Sequence, residues 1–300
     1  MLRARIAWAV CALLVLFGGL TGRAQASDAV VLGRDTPILQ EPRGSATVLK
    51  TARPGETFEV VGRKSGKSQP QYIIDEKGEI WVKVRLGAGD IGFIRNDLVS
   101  VAREEFPSPR GTPILFVNLR WMADGSIDRD LWVVQENWRS ARMIGEIDGH
   151  PIWASHGEWF IGQVDSQRPI KDPVMDRTLE RIEKVTANGR TRTVLAAGTC
   201  PVVNEARNEI YFYRDFDEQG DPVAPGLFAV SLEGTNLHPI YLLPERWKLW
   251  REDGDFFEEV PPPVLQPGAN RIALYAYEPH GVRVKITVTL DGQFVELRRD

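Results

Sequence analysis

The chain has 300 residues, 43% hydrophobic and 26% charged, with 37 basic against 41 acidic side chains and a formal charge of −4 at pH 7. That balance argues against nucleic acid, whose phosphates require clustered Lys and Arg, and against adsorption to anionic membranes. Two cysteines, Cys11 and Cys200, cannot make a disulfide-stapled scaffold, so stability has to come from burial.

The first residues read as a secretory signal peptide. Arg3 and Arg5 give a positive start, Ile6 to Leu20 is an uncharged apolar run, and Ala24-Gln25-Ala26 offers small residues to a signal peptidase. A spanning helix needs about 20 residues, and this run has fifteen with Gly18 and Gly19 near its end. Residues 1–26 are therefore expected to be cleaved and not to anchor the chain, and no later segment is apolar enough to span a bilayer. Cleavage removes Arg3, Arg5 and Arg23 and no acid, which takes the charge to −7. It also leaves Cys200 as the one cysteine. In Thr199-Cys200-Pro201-Val202-Val203 that thiol reads as buried and inert. The mature protein is expected to be periplasmic or secreted.

After the leader, helical periodicity is almost absent. Short runs rich in Val, Ile, Phe, Tyr and Trp are separated by Gly, Pro, Asn and Asp, the texture of strands and turns. Residues 27–104 carry, in order, Glu41-Pro42-Arg43-Gly44-Ser45, Val48-Leu49, Pro54-Gly55-Glu56, Phe58-Glu59-Val60-Val61, Trp81-Val82-Lys83-Val84, Gly92-Phe93-Ile94 and Asp97-Leu98-Val99. This order resembles the bacterial Src-homology-3-like (SH3b) barrel. Ile38-Leu39-Gln40 replaces the usual Asn-Val-Arg, Phe93 replaces Trp, and Lys64 to Glu79 is an insertion. The resemblance implies a small barrel that binds peptidoglycan or a peptide. Tyr72, Trp81 and Phe93 are its candidate groove aromatics, although Trp81 reads equally well as core.

Residues 105–112 contain Phe106-Pro107-Ser108-Pro109-Arg110-Gly111, which favours an extended linker. An internal repeat then occupies residues 113–300. Pro151, Pro201 and Pro263 each open an apolar run, and a second run begins nine residues later at Phe160, Ile210 and Ile272. A third run ends at Asn188-Gly189, Glu233-Gly234 or Asp291-Gly292, which predicts a tight type I′ hairpin to a fourth strand. Ile114–Val117, Leu131–Val134 and Ala141–Ile144 fit the last three strands of a partial first unit. Four-stranded units of 50 to 62 residues are the pattern of propeller blades; a twisted β-sandwich with recurring turns is the other reading. The pattern resembles TolB-type β-propeller repeats, with the usual Ser-Pro-Asp-Gly turn degraded. The expected fold class is all-β: an SH3-like barrel followed by a four-unit β-propeller-like domain.

The candidate chemistry is sparse. Ser155-His156-Gly157 lacks the glycine that precedes a nucleophile elbow, and His150, His156, His238 and His280 show no metal-ligand spacing. Asp215-Phe216-Asp217-Glu218-Gln219-Gly220-Asp221 partly matches a calcium loop, but Gly226 stands where the bidentate Glu belongs, so a solvated hairpin is expected. Trp247 and Trp250 lie in an insertion, Pro244 to Glu252, that reads as a short helix and offers an aromatic anchor for a protein partner. No metal or cofactor is expected. The sequence thus suggests a non-catalytic envelope binding or scaffold protein. The alternative is a carbohydrate- or peptide-processing hydrolase using loop carboxylates such as Asp215, Asp217, Asp253 and Asp255.

Overall fold

The computed structural model describes residues 29–61, 72–87, 89–135, 141–147, 149–171, 178–249, 261–266, 268 and 270–299. The expected leader lies outside them. The described residues form 25 strands and two 3-10 turns, Asn96–Leu98 and Glu205–Arg207, so the protein is all-β. It divides into two compact units, Met1–Glu105 with Asn118–Asp124, and Phe106–Val117 with Gly125–Asp300.

The first unit holds β1 (Ala29–Val31), β2 (Thr36–Leu39), β3 (Val48–Ala52), β4 (Thr57–Phe58), β5 (Tyr72–Ile74), β6 (Ile80–Leu86), β7 (Asp90–Arg95) and β8 (Val99–Ser100). They pair as a sheet β4-β1-β8 and a sheet β3-β2-β7-β6-β5. Both contribute to one core, with Val31 and Phe58 from the first sheet and Ile38, Val82, Val84 and Ile94 from the second. Period-two alternation decides the faces: Val82 and Val84 are buried, while Lys83 and Arg85 between and beyond them are not. Gly92 is required by packing, since a Cβ there would lie 2.4 Å from Ile38 Cγ2. The described end of the Lys64–Glu79 insertion is β5 itself, paired to β6 through Tyr72–Val82, Ile73–Trp81 and Ile74–Ile80.

Four antiparallel meanders follow. The first is β9 (Arg103–Pro107), β10 (Ile114–Trp121), β11 (Ile127–Val134) and β12 (Arg142–Glu146). The residues expected as an extended linker thus run partly in β9, then turn at Ser108–Gly111 through a 2.7 Å Gly111 N–H bond to the Ser108 carbonyl. The second is β13 (Ile152–Trp153), β14 (Trp159–Pro169), β15 (Thr178–Thr186) and β16 (Arg192–Ala197). The third is β17 (Thr199–Asn204), β18 (Glu209–Phe216), β19 (Pro222–Ser231) and β20 (His238–Leu242). The last contains β21 (Lys248–Leu249), β22 (Val264–Gln266), β23 (Arg271–Tyr277), β24 (Arg283–Thr289) and β25 (Phe294–Arg299). Its order is β21-β23-β24-β25, with β22 also on β23.

Central strands bury both faces, which is why Ile210-Tyr211-Phe212-Tyr213 is continuously apolar and aromatic. Ile210 and Phe212 pack with Ile161, Ile182 and Leu195 of the preceding sheet. Tyr211 and Tyr213 pack with Ile272, Leu274 and Ile286 of the following one. Each sheet also carries the same β-bulge on its outer strand. The pairs Leu131–Gly145 and Trp132–Met143 skip Ile144; corresponding shifts skip Leu195, Ile240 and Val295. The extra residue is apolar every time, and the bulge re-aims it; Ile144, Leu195 and Ile240 are buried.

Two local expectations are corrected. None of the three hairpins is a type I′ turn: those at Gly234 and Gly292 are three-residue loops, with Gly234 N–H on the Ser231 carbonyl at 2.9 Å and Gly292 N–H on the Thr289 carbonyl at 3.0 Å, and Gly189 N–H likewise bonds the Thr186 carbonyl at 2.7 Å. Only the glycine of each loop is left-handed, as a type I turn followed by a left-handed residue requires. The Pro244–Glu252 insertion is not a helix in its described part. Trp247 N–H closes a turn on the Pro244 carbonyl at 3.0 Å, and Lys248 and Leu249 then pair with Tyr277 and Ala276.

Candidate functional site

A cluster of polar groups lies where the second and third sheets meet. Ile170 just after β14, the start of β15, the β16–β17 corner and the end of β18 line a cavity of about 30 Å³. Its lining includes Thr178, Glu180, Thr199 and Asp215, with Ile170 and Phe216 as apolar walls. That space suits one small polar group or a water.

The corner is shaped by a bulge. Thr199 pairs with Tyr213 and Val202 with Tyr211, leaving Cys200 and Pro201 opposite Phe212 alone. Cys200 takes φ +55°, a left-handed conformation that costs a non-glycine residue roughly 1–2 kcal/mol. Its N–H is held by Gln163 Oε1 at 2.6 Å. The Gln163 amide donates in turn to Glu180 Oε2, and Gly198 N–H donates to the Glu180 carbonyl at 3.1 Å. Cys200 is half-buried and packs against the core of the last two sheets, less enclosed than the buried thiol expected.

Below the corner, Arg214 forks onto Glu218, Nη1 to Oε1 at 2.8 Å and Nη2 to Oε2 at 3.0 Å. Burial pushes the Glu218 carboxyl up, but the Arg214 hydrogen bonds and charge together with backbone N–H donors outweigh it and hold the group below its ordinary value. The cavity is thus lined by the hydroxyl residues Thr178 and Thr199 and by two acids, Glu180, which accepts from Gln163, and Asp215. Apart from Asp215, sequence reasoning missed these residues. The signal was faint: an Asp at a strand end and a Thr-Cys-Pro corner.

The other carboxylates have local duties or lie elsewhere. Asp217 Oδ1 accepts the N–H groups of Gln219 and Asp221 at 2.9 Å each, and the Asp221 N–H in particular keeps its carboxyl below the usual range. This is a hairpin turn. Gly226 cannot be a ligand position, because a Cβ there would meet the Tyr241 carbonyl oxygen at 2.3 Å. Asp253 and Asp255 lie outside the described residues. Ser155 is not poised against His156; its N–H and Oγ bond the Glu205 carboxylate at 2.6 and 2.5 Å.

In the first unit the register places Trp81 and Phe93 on one face of the sheet and Tyr72 on the other. Tyr72, opposite Val82, is half-buried against the core and lies 6.0 Å from the Trp121 ring. Trp81 is only 3% exposed, and its Nε1 donates to Asp75 Oδ2 at 3.2 Å. Desolvation pushes the Asp75 carboxyl up, but the Glu79 and Lys77 N–H groups and this indole outweigh it and lower its pKa. Phe93, opposite Lys83, is half-exposed on the face away from Ile94. Trp247 packs on the core of the last two sheets, and Trp250 lies outside the described residues.

No protein-family model matches the chain, and no curated protein does. Solved structures similar to it include a TolB from Agrobacterium tumefaciens, described as putative, at 13% identity, 77% coverage of this chain, 76% of that one, and a TM-score of 0.41. An oligogalacturonate lyase in complex with manganese aligns at 13% identity over 74% of this chain and 61% of its own, TM-score 0.41. A puromycin-hydrolyzing peptidase from Mycobacterium tuberculosis aligns at 13% identity over 79% of this chain, TM-score 0.42, and the chain spans only 40% of its length. These likenesses concern fold alone. They also correct one expectation: most of the similar structures are enzymes, so the non-catalytic assignment does not follow from the fold.

Proposed function

We propose that the chain is an exported binding protein of the cell envelope, with a cell-wall or peptide ligand on the first unit and a protein partner on the second. The observation that carries the reading is the array of four meanders. Its sheets are tied at residues about one repeat apart, Ser155 to Glu205 and Lys184 Nζ to the Leu232 carbonyl at 3.1 Å, which makes a stiff platform. The leader-like residues 1–26 support export, and the acidic balance disfavours nucleic acid. Sedimentation of residues 27–300 with purified peptidoglycan sacculi tests the wall ligand, with Phe93→Ala as the comparison. Co-sedimentation lost in Phe93→Ala is expected; no co-sedimentation of the parent refutes wall binding. Cross-linking in intact envelopes tests the protein partner.

A second reading, a carbohydrate- or peptide-processing hydrolase, is favoured by Glu180 and Asp215 lining one cavity. Turnover of oligosaccharide or peptide substrates that Asp215→Asn abolishes would establish it.

A further inference from the structure

The last sheet turns its even-numbered residues inward: Ile272, Leu274, Ala276, Val284, Ile286 and Val288 pack against the third sheet. Its other face is read directly from the strand register. One row runs Lys248, Tyr277, Arg283 across β21, β23 and β24. The next runs Tyr275, Lys285, Arg298 across β23, β24 and β25. Arg271, opposite Thr289, adds a fifth cation. Among the described residues the one carboxylate on this face is Glu296, which lies on the adjoining row with the buried Ala273 and Thr287 and is bonded to Arg298 Nη2 at 3.1 Å. Leaving Arg283 aside, the four cations Lys248, Arg271, Lys285 and Arg298 share this face with that one described acid, in a chain whose net charge is −4.

Lys285 and Arg298 are direct cross-strand partners. Like charges so placed oppose folding, and an alternating strand would be as well satisfied by Thr or Glu there. Lys285 Nζ sits 5.8 Å from the Tyr275 ring centroid, so a cation and an aromatic surface are offered together. Lys248, Arg271 and Arg298 are exposed, with Tyr275, Tyr277 and Lys285 half-exposed.

We propose that this face is a docking surface for an acidic segment of a partner protein, laid across the Lys248-Tyr277-Arg283 and Tyr275-Lys285-Arg298 rows. The proposal deepens the binding reading above and rests on it. Charge complementarity selects the occupant: an acidic strand or loop neutralises Lys285, whose cross-strand neighbour Arg298 is already paired to Glu296, while tyrosines supply apolar contact at low entropic cost.

The test is calorimetric titration of residues 27–300 with an acidic peptide of alternating Glu and Ser. Binding that weakens with added salt is expected, and Lys285→Glu should weaken it about tenfold. Because Lys285→Glu places an acid opposite Arg298, its thermal midpoint should equal or exceed the parent's, which separates lost binding from lost folding. Lys285→Gln, which keeps the length of the stem, should fall between. No binding by the parent, or equal binding by both variants, overturns the proposal. So does self-association of the parent that Lys285→Glu abolishes, which would make a second copy the occupant. If envelope cross-links persist unchanged in Lys285→Glu, the binding reading stands and this face is not its seat.

Discussion

Tyr213 and Tyr275 stand one repeat apart, 62 residues, and the Tyr275 N–H donates to the Tyr213 hydroxyl at 3.1 Å. The same hydroxyl donates to the Pro261 carbonyl at 3.2 Å. One buried oxygen therefore satisfies two backbone groups of the next sheet while its ring fills the core between them. Burial keeps this phenol protonated, far above its ordinary pKa, so the donor persists at any pH the fold survives.

Replacing Tyr213 by Phe keeps the ring and orphans both backbone groups. The expected cost is about 1–3 kcal/mol, the penalty for a buried polar group left unpaired. Urea unfolding should show a lower midpoint at unchanged slope. A shift too small to measure would mean that water reaches Tyr275 N–H and the tie is dispensable.

The outer-strand bulges give a sharper contrast between neighbours. Leu195 is the extra residue of its bulge and 6% exposed, whereas Val194 beside it is 46% exposed. Leu195→Ala should destabilise by roughly 2–4 kcal/mol through the cavity it leaves, and Val194→Ala by less than about 0.5 kcal/mol. Similar costs at both sites would show that the bulge does not aim Leu195 into the core.

Much of the second unit was legible because its strands obey period two and its turns carry glycine. The nine-residue offset and the hairpin glycines together found twelve of the seventeen strands β9 to β25, and the partial first unit supplied three more. What could not be read was the bulge. An extra Leu195 looks like one more apolar residue in Thr193-Val194-Leu195, and only the pairing of Ala196 with Ile182 and of Val194 with Glu183 reveals the slip. Lys248-Leu249 reads as helix by spacing, yet becomes strand because β23 leaves an edge that this segment can pair with. The cavity residues were illegible for another reason: Glu180, Thr199 and Asp215 come from three strands, and only folding brings them together.

The Ser155–Glu205 tie predicts a small acid dependence. The Ser155 hydroxyl first, then its N–H, holds the Glu205 carboxyl below its ordinary value. A depressed folded pKa gives stability that is present above the unfolded carboxylate range and lost as pH falls through the folded value. Ser155→Ala should therefore flatten the stability curve on its acid side and leave neutral stability lower. The group is exposed, so the effect should stay below about 1 kcal/mol. Guanidinium unfolding at a series of acid pH values reads it directly; parallel curves for parent and variant would show that the tie contributes nothing.

Arg214 predicts the opposite balance between removing one partner and removing both. Its side chain is 8% exposed, with the guanidinium carbon 5.7 Å from the Phe228 ring centroid and both terminal nitrogens on Glu218, which is 45% exposed. Glu218→Gln leaves a nearly buried cation with a weaker acceptor, and should cost roughly 1–3 kcal/mol, less than a fully buried pair because water reaches the carboxylate. Arg214→Met with Glu218→Gln removes the uncompensated charge and keeps the stem that packs on Phe228, so the double variant should be more stable than Glu218→Gln alone. A double-mutant cycle by urea unfolding measures the coupling. Additive losses would mean that Arg214 is held by its packing on Phe228, and that the fork onto Glu218 is incidental to the stability of this corner.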